Sequence, residues 1–165
     1  MLITRACTDS FRYPQLQTGV TDQSQCITRL TNKSQEPTWN VNLDYKPSND
    51  MLLYAKYSRG YRQGGINFTN PGLELWQPEK LDTFEVGSKN SFRGAVNGYF
   101  NVTGFYNKLS DAQFFAQLVA SPAGAAAGVA GGAGIINAGS ARSYGIEVDT
   151  AVELFDSLRL SVGYI

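Results

Sequence analysis

Six segments of the chain alternate apolar and polar residues with a period of two, and this pattern constrains the fold more than any other feature. They cover residues 39–45, 51–61, 81–89, 96–107, 144–154 and 158–164. Successive side chains of a β-strand point to opposite faces of a sheet, so each segment has one apolar and one polar face. The sequence therefore predicts an all-β protein with six strands.

The connections between these strands alternate between short and long. Residues 46–50, 90–94 and 155–157 are short turns, whereas residues 62–80 and 110–140 are long breaks rich in Gly, Asn and Pro. In an antiparallel up-and-down meander this order sorts all short turns to one end and all long loops to the other. Transmembrane β-barrels show this sorting, with short turns in the periplasm and long loops outside. We therefore expect a partial transmembrane β-barrel of about six strands.

The two faces of the predicted strands fit a barrel wall. Several segments reach the roughly 9–11 residues that a tilted strand needs to cross the hydrocarbon core. Val102 and Val148 are expected to face lipid. The expected lumen-facing residues are polar: Asn97, Asn101, Thr103, Glu147, Asp149 and Glu153. A soluble sheet with one wet face gives the same alternation, so a soluble extracellular β-sandwich that binds carbohydrate is the alternative.

Aromatic residues lie near several strand ends. Membrane barrels concentrate tyrosine and tryptophan in girdles at both membrane–water interfaces. The residues that fit such girdles are Trp39, Tyr45, Tyr144 and Tyr164.

Composition argues against several function classes. The 165 residues contain no histidine, and 14 basic residues balance 14 acidic ones. Histidine-based catalytic triads and histidine-ligated zinc are thereby excluded, and no net charge favours nucleic acid. A β-rich glycosidase would need a pair of carboxylates, and Glu147, Asp149 and Glu153 are better explained as a solvated face. We predict no catalytic, cofactor-binding or metal-binding residue, and no enzyme activity.

The segment 121–134 carries a GxxxGxxxG spacing that resembles a transmembrane helix interface. Its fourteen residues include five glycines and one proline, which oppose helix formation. We interpret the segment as a flexible low-complexity loop.

The first part of the chain is polar and contains both cysteines, Cys7 and Cys26. Their spacing is not that of a CxxC motif. Two readings stay open, a disulfide that closes an exposed loop in an oxidising compartment and two unrelated thiols. The opening residues, MLITRACTDSF, lack the unbroken apolar core of a signal peptide, so we expect a mature or truncated chain.

Two arginines, Arg59 and Arg62, lie where the second strand meets the first long loop. They are suited either to contact with an anionic ligand such as a carboxylate-bearing chelate or to a rim that faces lipopolysaccharide. With Gln63 and Asn67 they form the candidate ligand vestibule.

Four segments together resemble the β-barrel of TonB-dependent outer-membrane receptors. They are EPTWNVNLDYKPSNDMLLYAKYSRGYRQGGIN (36–67), QPEKLDTFEVGSKNSF (77–92), NVTGFYNKLSDAQ (101–113) and IINAGSARSYGIEVDTAVEL (135–154). The resemblance implies that residues 39–165 are part of such a barrel and that residues 1–38 are an extracellular loop region with the cysteine pair.

The resemblance also implies a function and a location. Receptors of this family take up scarce ligands, most often ferric siderophores, across the outer membrane of Gram-negative bacteria, with energy supplied through TonB. The implied partners are outer-membrane lipid, lipopolysaccharide and a small-molecule ligand. TonB would be contacted through an N-terminal plug that these residues do not match. Because the barrels of such transporters have about 22 strands, we expect this chain to be a piece that is not competent alone.

Overall fold

The computed structural model describes residues 30–67, 73–126, 131–155 and 157–165, and the chain divides into two compact units. The sheet unit comprises Glu36–Tyr61, Lys80–Ser110 and Ser140–Ile165. The loop unit comprises Met1–Gln35, Arg62–Glu79 and Asp111–Gly139. Cys7 and Cys26 lie outside the described residues, so their pairing stays a prediction.

Ten strands and one short helix are present in the described residues. In chain order they are β1 (Trp39–Ser48), β2 (Met51–Arg62), β3 (Gly65–Ile66), β4 (Leu75–Trp76), β5 (Glu79–Phe92), β6 (Asn97–Ser110), β7 (Gln113–Leu118), α1 (Pro122–Ala126), β8 (Gly132–Asn137), β9 (Ser140–Leu154) and β10 (Leu158–Tyr164).

The sheet unit is built from one six-stranded sheet with the order β1-β2-β5-β6-β9-β10. The pairs β1/β2, β5/β6, β6/β9 and β9/β10 are antiparallel. Consecutive long strands are therefore neighbours, which confirms the predicted up-and-down meander. Within the described residues, β1 and β10 are the edges of this sheet, so the barrel wall is partial.

The strand ends confirm that short and long connections are sorted. Lys80 is paired with Ser110, and Ser110 is paired with Ser140, so both long connections leave the same end of the sheet. At the opposite end, Leu158 is paired with Leu154 across the short turn between β9 and β10.

Register places the predicted apolar residues on one common face of the sheet. Val102 is paired with Val148, which in turn is paired with Tyr164 on β10. On the opposite face, Asn101 is paired with Lys89 and with Asp149. The alternation in the sequence thus becomes a single sheet with one apolar and one polar side.

The apolar face is not the inside of a protein core. Leu43 is 71% exposed, Val86 60% and Val162 62%. In a β-sandwich these side chains would be buried against a second sheet, and the described residues show no such burial at these three positions. Lipid tails cover such a face in a membrane barrel, and the structure therefore supports the transmembrane interpretation.

The loop unit contains regular structure that the alternation pattern does not predict. Strands β3 and β4 form one two-stranded sheet, and β7 and β8 form another. The expectation that the glycine-rich segment 121–134 is a loop throughout is wrong, because α1 and the start of β8 fall within it. Among the described residues, no helix has both the length and the apolar character needed to span a membrane.

Candidate functional site

The polar face of the sheet is organised around Tyr54 on β2. Its hydroxyl donates a hydrogen bond of 2.7 Å to Glu85 Oε1 on β5 and lies 2.9 Å from Thr103 Oγ1 on β6. Lys56 Nζ lies 3.8 Å from the other carboxylate oxygen of Glu85. Side chains from three adjacent strands therefore form one hydrogen-bonded and ionic network, the Tyr54 network.

Glycine at position 87 makes room for this tyrosine. A Cβ atom built on Gly87 would lie 2.5 Å from Tyr54 Cε1, which is closer than real side chains approach. The ammonium group of Lys89 lies 5.7 Å from the centre of the same ring, a distance at which a cation is attracted to an aromatic face. The Tyr54 ring thus covers Gly87, and the ammonium group of Lys89 lies near its face.

The Tyr54 network lines a shallow polar concavity of the sheet unit. Two further lining residues, Asp149 and Asn107, are hydrogen-bonded to side chains beside the concavity: Tyr99 donates to Asp149 at 3.1 Å, and Asn107 donates to Ser143 at 3.2 Å. The remaining lining residues include Thr83, Asn101, Phe105 and Glu147. This surface carries hydrogen-bond donors and acceptors as well as side chains of both charges, which suits contact with water or a polar partner. The described residues contain no cluster of acidic or sulfur ligands suited to a metal ion.

The apolar face carries a row of rings that crosses adjacent strands, here called the aromatic row: Tyr57, Phe84, Tyr106 and Tyr144. Tyr57 and Phe84 are stacked with ring centres 4.6 Å apart, and Phe84 lies 6.4 Å from Tyr106. Tyr106 is paired in register with Tyr144. Trp39 packs edge-on to Tyr57 at 5.9 Å. The row lies towards the end of the sheet from which the long connections leave.

The predicted girdle residues do not all belong to this row. Trp39 and Tyr144 lie at or beside it, whereas Tyr45 is paired with Leu53 towards the short-turn end of β1. Tyr164 is paired with Val148. Sequence position alone did not single out Tyr57, Phe84 or Tyr106, because the row is produced by the register between strands.

Arg59 lies on the same face as Tyr57, two residues further along β2. Its guanidinium donates hydrogen bonds of 2.6 and 2.8 Å to the two carboxylate oxygens of Asp82, and Tyr57 donates another of 2.9 Å to the same group. Arg59 Cζ also lies 4.8 Å from the centre of the Trp39 ring. Asp82 therefore neutralises the charge of Arg59 on the apolar face of the sheet.

Asn67 joins the two hairpins of the loop unit. Its amide nitrogen donates hydrogen bonds to the backbone oxygens of Leu73, at 2.8 Å, and Ile135, at 2.7 Å. Its amide oxygen accepts a hydrogen bond of 2.9 Å from the backbone nitrogen of Ile135. Only 7% of Asn67 is exposed, so a buried amide ties the first long loop to the second.

Gln113 makes a second link between the two loops. Its side-chain nitrogen donates to the backbone oxygens of Gln63, at 3.0 Å, and Gln77, at 3.1 Å. Its own backbone nitrogen donates to Glu79 Oε2 at 2.7 Å, and Arg62 donates to the same oxygen at 3.0 Å. Glu79 is thus shared between the two loops.

Asn137 makes the third link. Its side-chain nitrogen donates to Gln77 O at 3.0 Å and to Asp111 O at 2.7 Å, and its side-chain oxygen accepts from Gln77 N at 2.7 Å. We call Asn67, Gln113 and Asn137 the amide clasp. A side chain that satisfies several backbone groups at once takes the place of strand pairing between the two hairpins.

The four vestibule candidates fall into two places. Arg62, Gln63 and Asn67 belong to the loop unit, whereas Arg59 belongs to the sheet unit. Asn67 is part of the amide clasp, the backbone oxygen of Gln63 accepts a hydrogen bond from Gln113, and Arg62 shares Glu79 with Gln113. Gln113, Asn137 and Glu79 were not identified from the sequence. Their partners are far away along the chain, and isolated amides in a loop give no periodic signal.

Comparison with known proteins agrees with this architecture. No curated protein matches the chain. A sequence model of the family described as TonB dependent receptor-like, beta-barrel, matches residues 8–165, which is nearly the whole chain. The chain therefore belongs to the β-barrel family of TonB-dependent receptors, which are transport receptors of the Gram-negative outer membrane.

Proposed function

We propose that the chain is part of a receptor that takes up a ferric siderophore, or a similarly scarce ligand, with energy delivered through TonB. The observation that carries the proposal is the family match over residues 8–165, combined with a sheet whose apolar face is exposed. TonB would act through an N-terminal plug, to which none of these residues is assigned. Residues 39–165 would supply barrel wall and loops.

The first 38 residues are proposed to form an extracellular loop region. The family match starts at residue 8 and thus includes most of this region, which supports a place within the barrel part of the receptor. A disulfide between Cys7 and Cys26 would restrict such a loop in an oxidising compartment.

Arg62 is the proposed contact with an anionic ligand. Its side chain is 60% exposed while it donates to Glu79, so the guanidinium can exchange that carboxylate for an oxygen of the ligand. Gln63 is its neighbour and supplies a backbone oxygen to the clasp. Asn67 is buried, so its proposed contribution is to hold the vestibule in shape. The contacts of Arg59 with Asp82 favour the rim alternative for that residue.

The test is uptake by cells that carry the full-length receptor gene. A deletion strain would be complemented with wild-type receptor, with Arg62→Ala, or with Arg93→Ala as the matched control in the short turn between β5 and β6. Uptake of radioactive iron would be measured with a panel of ferric chelates, with and without TonB.

We expect one chelate class to depend on both the receptor and TonB. Arg62→Ala should raise the half-saturating concentration, because one charge-assisted hydrogen bond is lost, and Arg93→Ala should behave as wild type. Normal uptake of every chelate by the deletion strain would contradict the siderophore assignment. Uptake that persists without TonB would contradict the energy source.

A further inference from the structure

A second row of side chains follows the aromatic row on the same face of the sheet. This charged row consists of Arg59, Asp82, Lys108 and Arg142. Each member lies two residues beyond an aromatic residue on its own strand, in the direction of the long connections. Asp82 is paired in register with Lys108, and Lys108 is paired with Arg142. The row is therefore continuous across β2, β5, β6 and β9.

The charges of this row do not cancel. Arg59 and Asp82 neutralise each other through two hydrogen bonds. Lys80, which lies on the same face of β5, is likewise paired with Glu36 at 2.8 Å. Lys108 and Arg142 are both exposed, and neither forms an ion pair within 4 Å among the residues that the structure describes. Asp82 also attracts Lys108, its register partner, but both of its carboxylate oxygens accept hydrogen bonds from Arg59. Two positive charges are thus left on adjacent strands.

Directly opposed like charges destabilise a strand pair, unless an anion lies between them. A guanidinium binds phosphate oxygens through two parallel hydrogen bonds, and an ammonium group adds a point charge. Because rings of tyrosine and tryptophan mark the membrane–water interface, the charged row lies at headgroup depth. The long connections leave this end of the sheet, and in bacterial barrels these face outside.

We propose that Lys108 and Arg142 form a binding site for the phosphate groups of lipopolysaccharide in the outer leaflet. Asp82 holds Arg59 against Trp39 and so keeps that third cation neutralised, which confines the free positive charge to β6 and β9. The proposal rests on the outer-membrane orientation of the barrel and is independent of which ligand is transported.

The test uses the full-length receptor, purified in detergent and freed of lipopolysaccharide. The variant is K108Q/R142Q, and the matched control is K89Q/R159Q, which removes the same two charges from the polar face. Binding of purified lipopolysaccharide would be titrated by native mass spectrometry, with and without its lipid A phosphates. Retention of the heat-modifiable folded form on gels would show that each variant is folded.

We expect K108Q/R142Q to bind phosphorylated lipopolysaccharide about tenfold more weakly or worse, as for the loss of charge-assisted hydrogen bonds. The control should bind as wild type, and all three proteins should bind dephosphorylated lipopolysaccharide equally weakly. If the double variant fails to fold, Lys108→Gln and Arg142→Gln are titrated singly, and each should weaken binding about threefold.

Four results would overturn the proposal. The first is unchanged affinity in K108Q/R142Q. The second is equal affinity of wild type for phosphorylated and dephosphorylated lipopolysaccharide. The third is displacement of lipopolysaccharide by an equal concentration of inorganic phosphate, which would assign the site to free anions. The fourth is a receptor dimer that K108Q/R142Q loses, which would assign the site to a second copy of the receptor. The titration measures lipopolysaccharide binding and not iron uptake, so its result does not depend on which ligand the receptor transports.

Discussion

The ring of Tyr54 on β2 lies directly against the backbone of Gly87 on β5, where a Cβ atom would approach Tyr54 Cε1 to 2.5 Å. This contact allows the tyrosine hydroxyl to reach both Glu85 and Thr103. A glycine inside a strand normally weakens it, and an aromatic side chain from the neighbouring strand compensates by covering the gap.

We expect Gly87→Ala to destabilise the barrel by about 1–3 kcal/mol, as other overpacking substitutions do. The new methyl group must displace the Tyr54 ring and with it the hydroxyl. Gly60→Ala on β2 is the control, because nothing lies within 4 Å of a Cβ atom at that position. The free energy of unfolding would be measured by urea titration of the receptor in lipid vesicles. Equal free energies of unfolding for the two variants would show that the Tyr54 ring can move away from the new methyl group without loss of stability.

Lysine substitutions on the two faces of β6 and β9 should differ in their effect on membrane insertion. Val148→Lys or Val102→Lys places a charge on the apolar face and should cost roughly 2–4 kcal/mol at the middle of the bilayer. Asn101→Lys on the polar face should be tolerated, since it places no charge in lipid and its two register partners, Asp149 and Lys89, carry opposite charges. The yield of folded receptor in outer-membrane fractions is the measurement. Similar losses of folded receptor for all three variants would contradict a sheet with one face towards lipid and the other towards water.

The isolated 165-residue chain should aggregate in buffer and stay dispersed only in detergent. Within the part of the chain that the structure describes, β1 and β10 are the edges of the six-stranded sheet, and unpaired strand edges promote association. The exposed Leu43 and Val162 add apolar surface. Size-exclusion chromatography with light scattering, run with and without detergent, would measure this. A monodisperse monomer in buffer that melts cooperatively would count against a partial barrel.

Asn67→Ala should loosen the second long loop as well as the first. The substitution removes the hydrogen bonds of Asn67 to Ile135, a residue 68 positions away. Faster amide hydrogen exchange in β8 of the full-length receptor is the expected result. Gln117→Ala, an exposed amide on β7, is the matched control and should leave exchange in β8 unchanged. Exchange that rises only around residues 65–76 would show that the hairpins are held together by other contacts.

The residues of the loop unit are less predictable from sequence than the strands of the sheet. Arg62 is a candidate because it lies where the second strand meets the first long loop, and Asn67 belongs to the same predicted vestibule. The structure places both in the loop unit. Their partners Gln113 and Asn137 could not be predicted in the same way. In the sequence, an asparagine or glutamine whose side chain hydrogen-bonds to a distant backbone group looks the same as one whose side chain faces water.

The strands, the two faces of each strand and the end of the sheet from which the long loops leave can all be predicted from the amino-acid pattern. These features follow from local geometry, because a period of two assigns each side chain to a face and a short turn forces antiparallel pairing. Which residues meet across strands is visible only in the folded chain. The aromatic row, the pairing of Lys108 with Arg142 and the amide clasp all depend on register and on contacts between distant segments. Those are set by the packing of the whole chain, so no local pattern in the sequence encodes them.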